Sequence, residues 1–119
     1  MKDSKLDKLF QQAVILKKGC CEFCGSNYDL AAHHYFHRWD KRLRWEIENS
    51  FCLCKTHHTG SSDFSAHLTV KKFEKWALES RGQEWLDELI IKRNNPAKVD
   101  RERLREELLA IIAEKEGEE

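Results

Sequence analysis

The residues able to do chemistry in this 119-residue chain crowd into one stretch, Cys20 to His58: CCEFCGSNYDLAAHHYFHRWDKRLRWEIENSFCLCKTHH. It holds all five cysteines and all but one of the six histidines. Cys21 and Cys24 form a C-x-x-C turn followed by Gly25, a small residue that lets backbone amides fold around a thiolate-bound metal, and Cys54 and His57 repeat the spacing. Cys21, Cys24, Cys54 and His57 make a closed Cys3His set suited to structural zinc. Four protein ligands leave no open position, so a zinc ion here holds structure and takes no part in a reaction. Spacing alone decides between His57 and its neighbour His58. Cys20 could replace Cys21, although C-x-x-C-G favours Cys21, and Cys52 in an apolar run reads as a small core residue.

A second set lies between the two pairs. His33 and His34 end the apolar run Leu30-Ala31-Ala32, Asn49 opens another run with Phe51 and Leu53, and His58 follows the last zinc ligand. This order, H-H, Asn, then L-C-x-x-H-H, resembles the ββα-metal or HNH nuclease motif with its zinc knuckle. Within that superfamily H-H-Y-F-x-R, the R-W ahead of Asn49 and the later R-G-Q-E-W-L-D-E-L are similar to the NinG/Rap recombination endonucleases of lambdoid phages.

The resemblance implies a metal-dependent DNA endonuclease that hydrolyses phosphodiester bonds on branched or recombination-intermediate DNA. Such a reaction needs an activated water, a cation to balance charge growing on the phosphate, and help for the departing oxygen. By resemblance His34 is the general base, a task that suits imidazole because its pKa lies near neutrality. Asn49 resembles the asparagine that ties loop to strand and orients that base. His33 and His58 then hold a catalytic Mg²⁺ or Mn²⁺; His33 stands where many relatives carry Asp, which shifts the preference toward softer ions such as Mn²⁺. In a regular strand His33 and His34 leave opposite faces, so they cannot share one role. The alternative is a non-catalytic zinc module that binds DNA or a protein, but a knuckle alone has no need of His33, His34, Asn49 and His58.

From Phe36 to Glu46 cations alternate with aromatics. Arg38, Lys41, Arg42 and Arg44 are the expected DNA-binding residues, gripping phosphates, while Trp39 and Trp45 either close the core over the metal site, the favoured reading, or stack on exposed bases. The formal net charge is zero, so DNA binding must come from such a local patch.

The supporting elements give an α+β, mostly helical fold: a zinc-stabilised ββα-metal core flanked by N- and C-terminal helices. Residues 4–18 read as an amphipathic helix burying Leu6, Leu9, Phe10, Ala13 and Val14, capped by Ser4 with Asp7 and stopped at Gly19, its lysines a solvated face. A strand ends at His33-His34, a second runs from Asn49 to Leu53, and a helix begins at about Cys54. His67, after a polar connection, reads first as an ordinary surface or core histidine, with contact to metal or DNA the less favoured alternative. Two helical segments follow, one with Val70, Phe73 and Ala77, the other with Trp85, Leu86, Leu89 and Ile90, separated near Gly82 and ended by Asn94-Asn95-Pro96. Residues 1–95 form the nuclease domain. Residues 96–119 add a helix with Leu104, Leu108, Ile111 and Ile112 and an acidic tail of Glu116, Glu118 and Glu119. That helix can pack on the domain or pair with a second chain, and the sequence does not choose; a symmetrical junction needs two cuts, so a homodimer is expected, with the Leu104, Leu108 and Ile111 face as its candidate surface.

At 35% charged and 40% hydrophobic, with no apolar run of membrane-spanning length and no signal-peptide pattern, the chain is expected in the cytoplasm of a bacterial or phage-infected cell. In that compartment C-x-x-C reads as metal-binding, not a disulfide.

Overall fold

The computed structural model describes residues 2–117. The first helix, α1 (Asp3–Lys18), buries Leu6, Phe10, Ala13 and Val14, the stripe its 3.6-residue periodicity dictates. It ends at Gly19, whose φ of 75° lets its N–H reach back to the Ile15 carbonyl at 2.8 Å. The expected Ser4 cap does not form. The helix starts one residue earlier with no side-chain cap, because the Asp7 carboxylate that would complete a capping box is held instead by Arg44 and Trp45.

The sheet is a two-stranded antiparallel pair, β1 (Leu30–His34) and β2 (Ser50–Cys54), with His33 opposite Phe51 and His34 opposite Ser50. Asn49 lies just outside β2, closing a 3₁₀ turn (Ile47–Asn49). Two strands are marginal alone, and here both edges are held by side chains. Gln11 of α1 accepts from the Ala32 N–H at 2.9 Å and donates to its carbonyl at 3.1 Å. On the far edge Glu22 accepts from Cys52 N–H at 2.7 Å. There α2 (Val70–Arg81) contributes Arg81, which donates to the Ser50 carbonyl at 2.6 Å and to Glu22.

Strand alternation divides the core. On one face Ala32, Cys52 and Trp45 pack with Leu6, Phe10 and Val14, and with Leu104, Leu108 and Ile112 of the last helix, α4 (Arg101–Glu116). On the other, Phe51 and Leu53 pack with Phe73 and Ala77 of α2. Gly82, at φ 89°, separates α2 from α3 (Gln83–Arg93).

Two further expectations change. No α-helix starts at Cys54: a single π-helical turn (Thr56–Gly60) follows β2, and regular helix resumes only at Val70. The Leu104 and Leu108 face, expected to pair with a second chain, is buried against α1. Of the acidic tail, Glu118 and Glu119 lie outside the described residues. Among the described residues no helix is long and apolar enough to cross a membrane.

Candidate metal centres and catalytic cleft

Cys21, Cys24, Cys54 and His57 converge, their ligand atoms all within 4.8 Å of one another. Cys24 Sγ lies 3.8 Å from Cys54 Sγ, and Cys54 Sγ 3.3 Å from His57 Nδ1. Tetrahedral zinc with bonds of about 2.3 Å to sulfur has edges of about 3.8 Å, so the donor set and its spacing fit zinc. All five cysteines are free. The knuckle follows from local sequence: Gly25, at φ 82°, turns the chain so that its N–H reaches the Cys21 carbonyl at 2.8 Å. Burial opposes ionisation of Cys21, but backbone amides of Cys54, Cys24 and Phe23 directed at it prevail and pull its thiol below the usual range. Phe23 covers His57, stacked on Phe64 with centroids 3.8 Å apart. Cys20 and Cys52 stand outside the cluster. Cys52 is fully buried, its thiol pushed up to about 12 by burial and the nearby Glu22.

The second cluster is made of imidazoles. His33 and His58 come together as their positions implied, and His67 joins them, the three offering ligand atoms within 4.8 Å. His58 Nε2 and His67 Nε2 are 3.1 Å apart; metal–nitrogen bonds of about 2.1 Å put adjacent donors about 3.0–3.4 Å apart, so the residues present fit an ion. Burial first, then the neighbouring histidines, lower His33 to about 3 and His58 to about 4. Both are therefore neutral at physiological pH, the form in which imidazole binds metal.

His67 was not legible as a site residue because nine positions separate it from His58. The signal lay in the small polar connection between them. The π turn carries the chain back so that Ala66 N–H meets the His57 carbonyl at 2.9 Å and His67 N–H meets the His58 carbonyl at 3.0 Å. Buried Ser65 and half-buried Thr69 lock the return, Thr69 Oγ1 accepting from Ser65 N–H at 2.9 Å and donating to its carbonyl at 3.0 Å.

His34 leaves the other face of β1 and stacks on Phe10 with centroids 5.0 Å apart. Its Nε2 is 2.9 Å from the Arg44 carbonyl. A carbonyl can only accept, so Nε2 carries the proton and Nδ1 keeps its lone pair. Burial lowers the pKa of His34, and the Arg44 carbonyl and Asp7 only partly offset this. His33 and His34 nonetheless share one cleft of about 330 Å³, which wraps the end of β1 and is lined also by His58, His67, Gln11, Arg38 and Trp39.

Asn49 is fully buried and reaches none of these rings. Its Oδ1 accepts from Phe36 N–H at 2.9 Å, and its Nδ2 donates to the carbonyls of Phe36 and Leu43 at 3.0 and 3.3 Å. It pins the loop after β1, and with it the Arg44 carbonyl that orients His34.

The cations of that loop divide. Arg38 and Lys41 have side chains 64% and 60% exposed, in loose pairs with Asp7 and Asp3. Arg42 is half-buried and donates to the Ala97 carbonyl at 3.1 Å. Arg44 points inward and binds Asp7 through two nitrogens at 3.0 and 2.6 Å, so its guanidinium is already engaged. The tryptophans divide too: Trp45 is core at 1% exposure, while Trp39 is 74% exposed. Compared with family models, curated proteins and solved structures, the chain matches none.

Proposed function

We propose that the chain is a metal-dependent DNA endonuclease of the ββα-metal type, acting on branched or recombination-intermediate DNA. The supporting observation is the shared cleft, where three imidazoles converge beside a fourth histidine whose Nδ1 keeps its lone pair. His34 takes the proton from the attacking water on Nδ1, the nitrogen left with a lone pair while Nε2–H is held by the Arg44 carbonyl. His33, His58 and His67 hold the divalent ion, which when bound supplies positive charge to the phosphate and the departing oxygen. An all-imidazole set, with no carboxylate, suits Mn²⁺ and later transition ions better than Mg²⁺. Asn49 positions His34 through the loop. Arg38 and Lys41 meet the phosphates on either side, and zinc at Cys21, Cys24, Cys54 and His57 fixes the strand end and π turn that carry His58.

The test uses zinc-loaded protein with a four-way junction, a flap and a linear duplex at matched salt, with Mn²⁺ and with Mg²⁺. Cleavage is expected with added ion, faster with Mn²⁺, leaving 5′-phosphate and 3′-hydroxyl ends and favouring the branched substrates. Equal rates on all three would remove the branched-DNA part. Binding without cleavage under any divalent ion would make the chain a zinc-dependent DNA-binding module.

A further inference from the structure

A second cleft, of about 520 Å³, lies next to the histidine cleft and within the usual range of small-molecule sites. His37 and Trp39 line both and so form the wall between them. The two rings are stacked, with centroids 4.2 Å apart and planes within 16°, yet Trp39 remains 74% exposed. A large aromatic held open in this way is a ready stacking surface.

Beyond the wall the lining is cationic: Lys41, Arg42, Arg93 and Lys98, with Asp40 the one carboxylate. In a chain of zero net charge this concentration is local. Arg93 is paired with Asp40 at 2.7 Å and lies over Phe36, which stiffens the floor. Arg42 is left incomplete: it donates to the Ala97 carbonyl, but among the described residues its buried Nε has no hydrogen-bond partner. The bond to Ala97 holds the guanidinium in the cleft lining, where it offers positive charge to an anionic oxygen. Lys98 joins the lining from the segment between α3 and α4.

We propose that this cleft holds an unpaired nucleotide of the DNA strand that runs through the histidine cleft, its base stacked on Trp39 and its phosphate on Arg42 and Lys98. The inference rests on the nuclease reading and adds to it the subsite that makes unpaired nucleotides part of the recognised substrate. A base in a duplex cannot use Trp39, because both its faces are already stacked. A base beside a gap or branch point can, and base-on-aromatic stacking is a sequence-tolerant source of affinity.

The experiment measures binding of zinc-loaded protein, without added catalytic ion, to a fluorescent duplex and to the same duplex carrying a short single-stranded gap, by anisotropy at matched salt. The wild type is expected to bind the gapped probe about tenfold more tightly, with quenching of Trp39 emission. Trp39→Ala should abolish the preference, Trp39→Phe should keep most of it, and Lys98→Gln should reduce it. The high exposure of Trp39 keeps these variants folded, which thermal melting verifies. If the wild type binds both probes equally, or Trp39→Ala keeps the preference, the nucleotide subsite is overturned and the nuclease reading stands. If neither probe is bound, both fall together.

Discussion

Asp7 joins the first helix to the loop that carries the cations. Its carboxylate accepts from Arg44 at 3.0 and 2.6 Å, from Trp45 Nε1 at 2.8 Å and from Arg38 at 3.2 Å. Burial alone would raise its pKa, but the bonds from Arg44 and Trp45 prevail and hold it below 3.8. A depressed folded-state pKa stabilises above the unfolded value and loses that contribution as pH falls through the folded one. Asp7→Asn should therefore lose about 2 kcal/mol at neutral pH by leaving Arg44 only the longer pairing with Asp3, at 3.7 Å, and its gap from wild type should shrink below pH 3.8. Urea unfolding at the two pH values measures this; a gap that stays constant would show that the pair does not carry the effect. The same geometry separates the arginines. Arg44→Gln should lower stability, whereas Lys41→Gln should leave stability unchanged and weaken DNA binding and its salt dependence. Sequence grouped Arg44 with the phosphate contacts because composition shows a charge but not the acid that meets it from a helix 37 positions earlier.

Among the elements, the π turn couples the two clusters that could each hold a metal ion. His57 belongs to the first and His58 to the second, and backbone bonds from Ala66 and His67 tie the return segment to both. Removing zinc with a chelator should thus release the histidine cluster as well, with loss of ordered structure between β2 and α2. Hydrogen exchange on zinc-loaded and stripped protein, with Cys54→Ser as an independent way to open the site, tests this. A stripped protein in which the amides of Ala66 and His67 stay protected would contradict it. Much of this level was legible. Period-two alternation separated His33 from His34, C-x-x-C with C-x-x-H picked out the cluster that could hold a metal, and the stripe of α1 was read correctly at Leu6, Phe10, Ala13 and Val14, with Leu9 only half-buried. What escaped was set by long-range partners: the π turn, where the return hydrogen bonds from Ala66 and His67 override helix propensity, the missing Ser4 cap, and His67.

For the whole molecule, α4 closes the core. Leu104, Leu108 and Ile112 pack on Leu6 and Phe10 of α1, Arg101 pairs with Asp3, and Arg103 with buried Glu46 at 3.0 Å. Leu108→Ala should cost about 3 kcal/mol and lower the single unfolding transition of the whole chain; an unchanged midpoint would mean that α4 is not part of this core. Pairing of two chains, if the substrate requires two cuts, must use a surface other than the Leu104 and Leu108 face. All of these supports serve the cleft at the end of β1, and the central claim is that His34 moves the proton while His33, His58 and His67 hold the ion. The most direct test compares His34→Ala and His67→Ala with wild type, measuring divalent-ion binding by calorimetry on zinc-loaded protein and cleavage of supercoiled plasmid in the same samples. His34→Ala is expected to bind the ion as the wild type does and cut at least about a hundredfold more slowly, while His67→Ala loses ion affinity and cleavage together. Wild-type rates from His34→Ala, or unchanged ion binding in His67→Ala, would contradict the account.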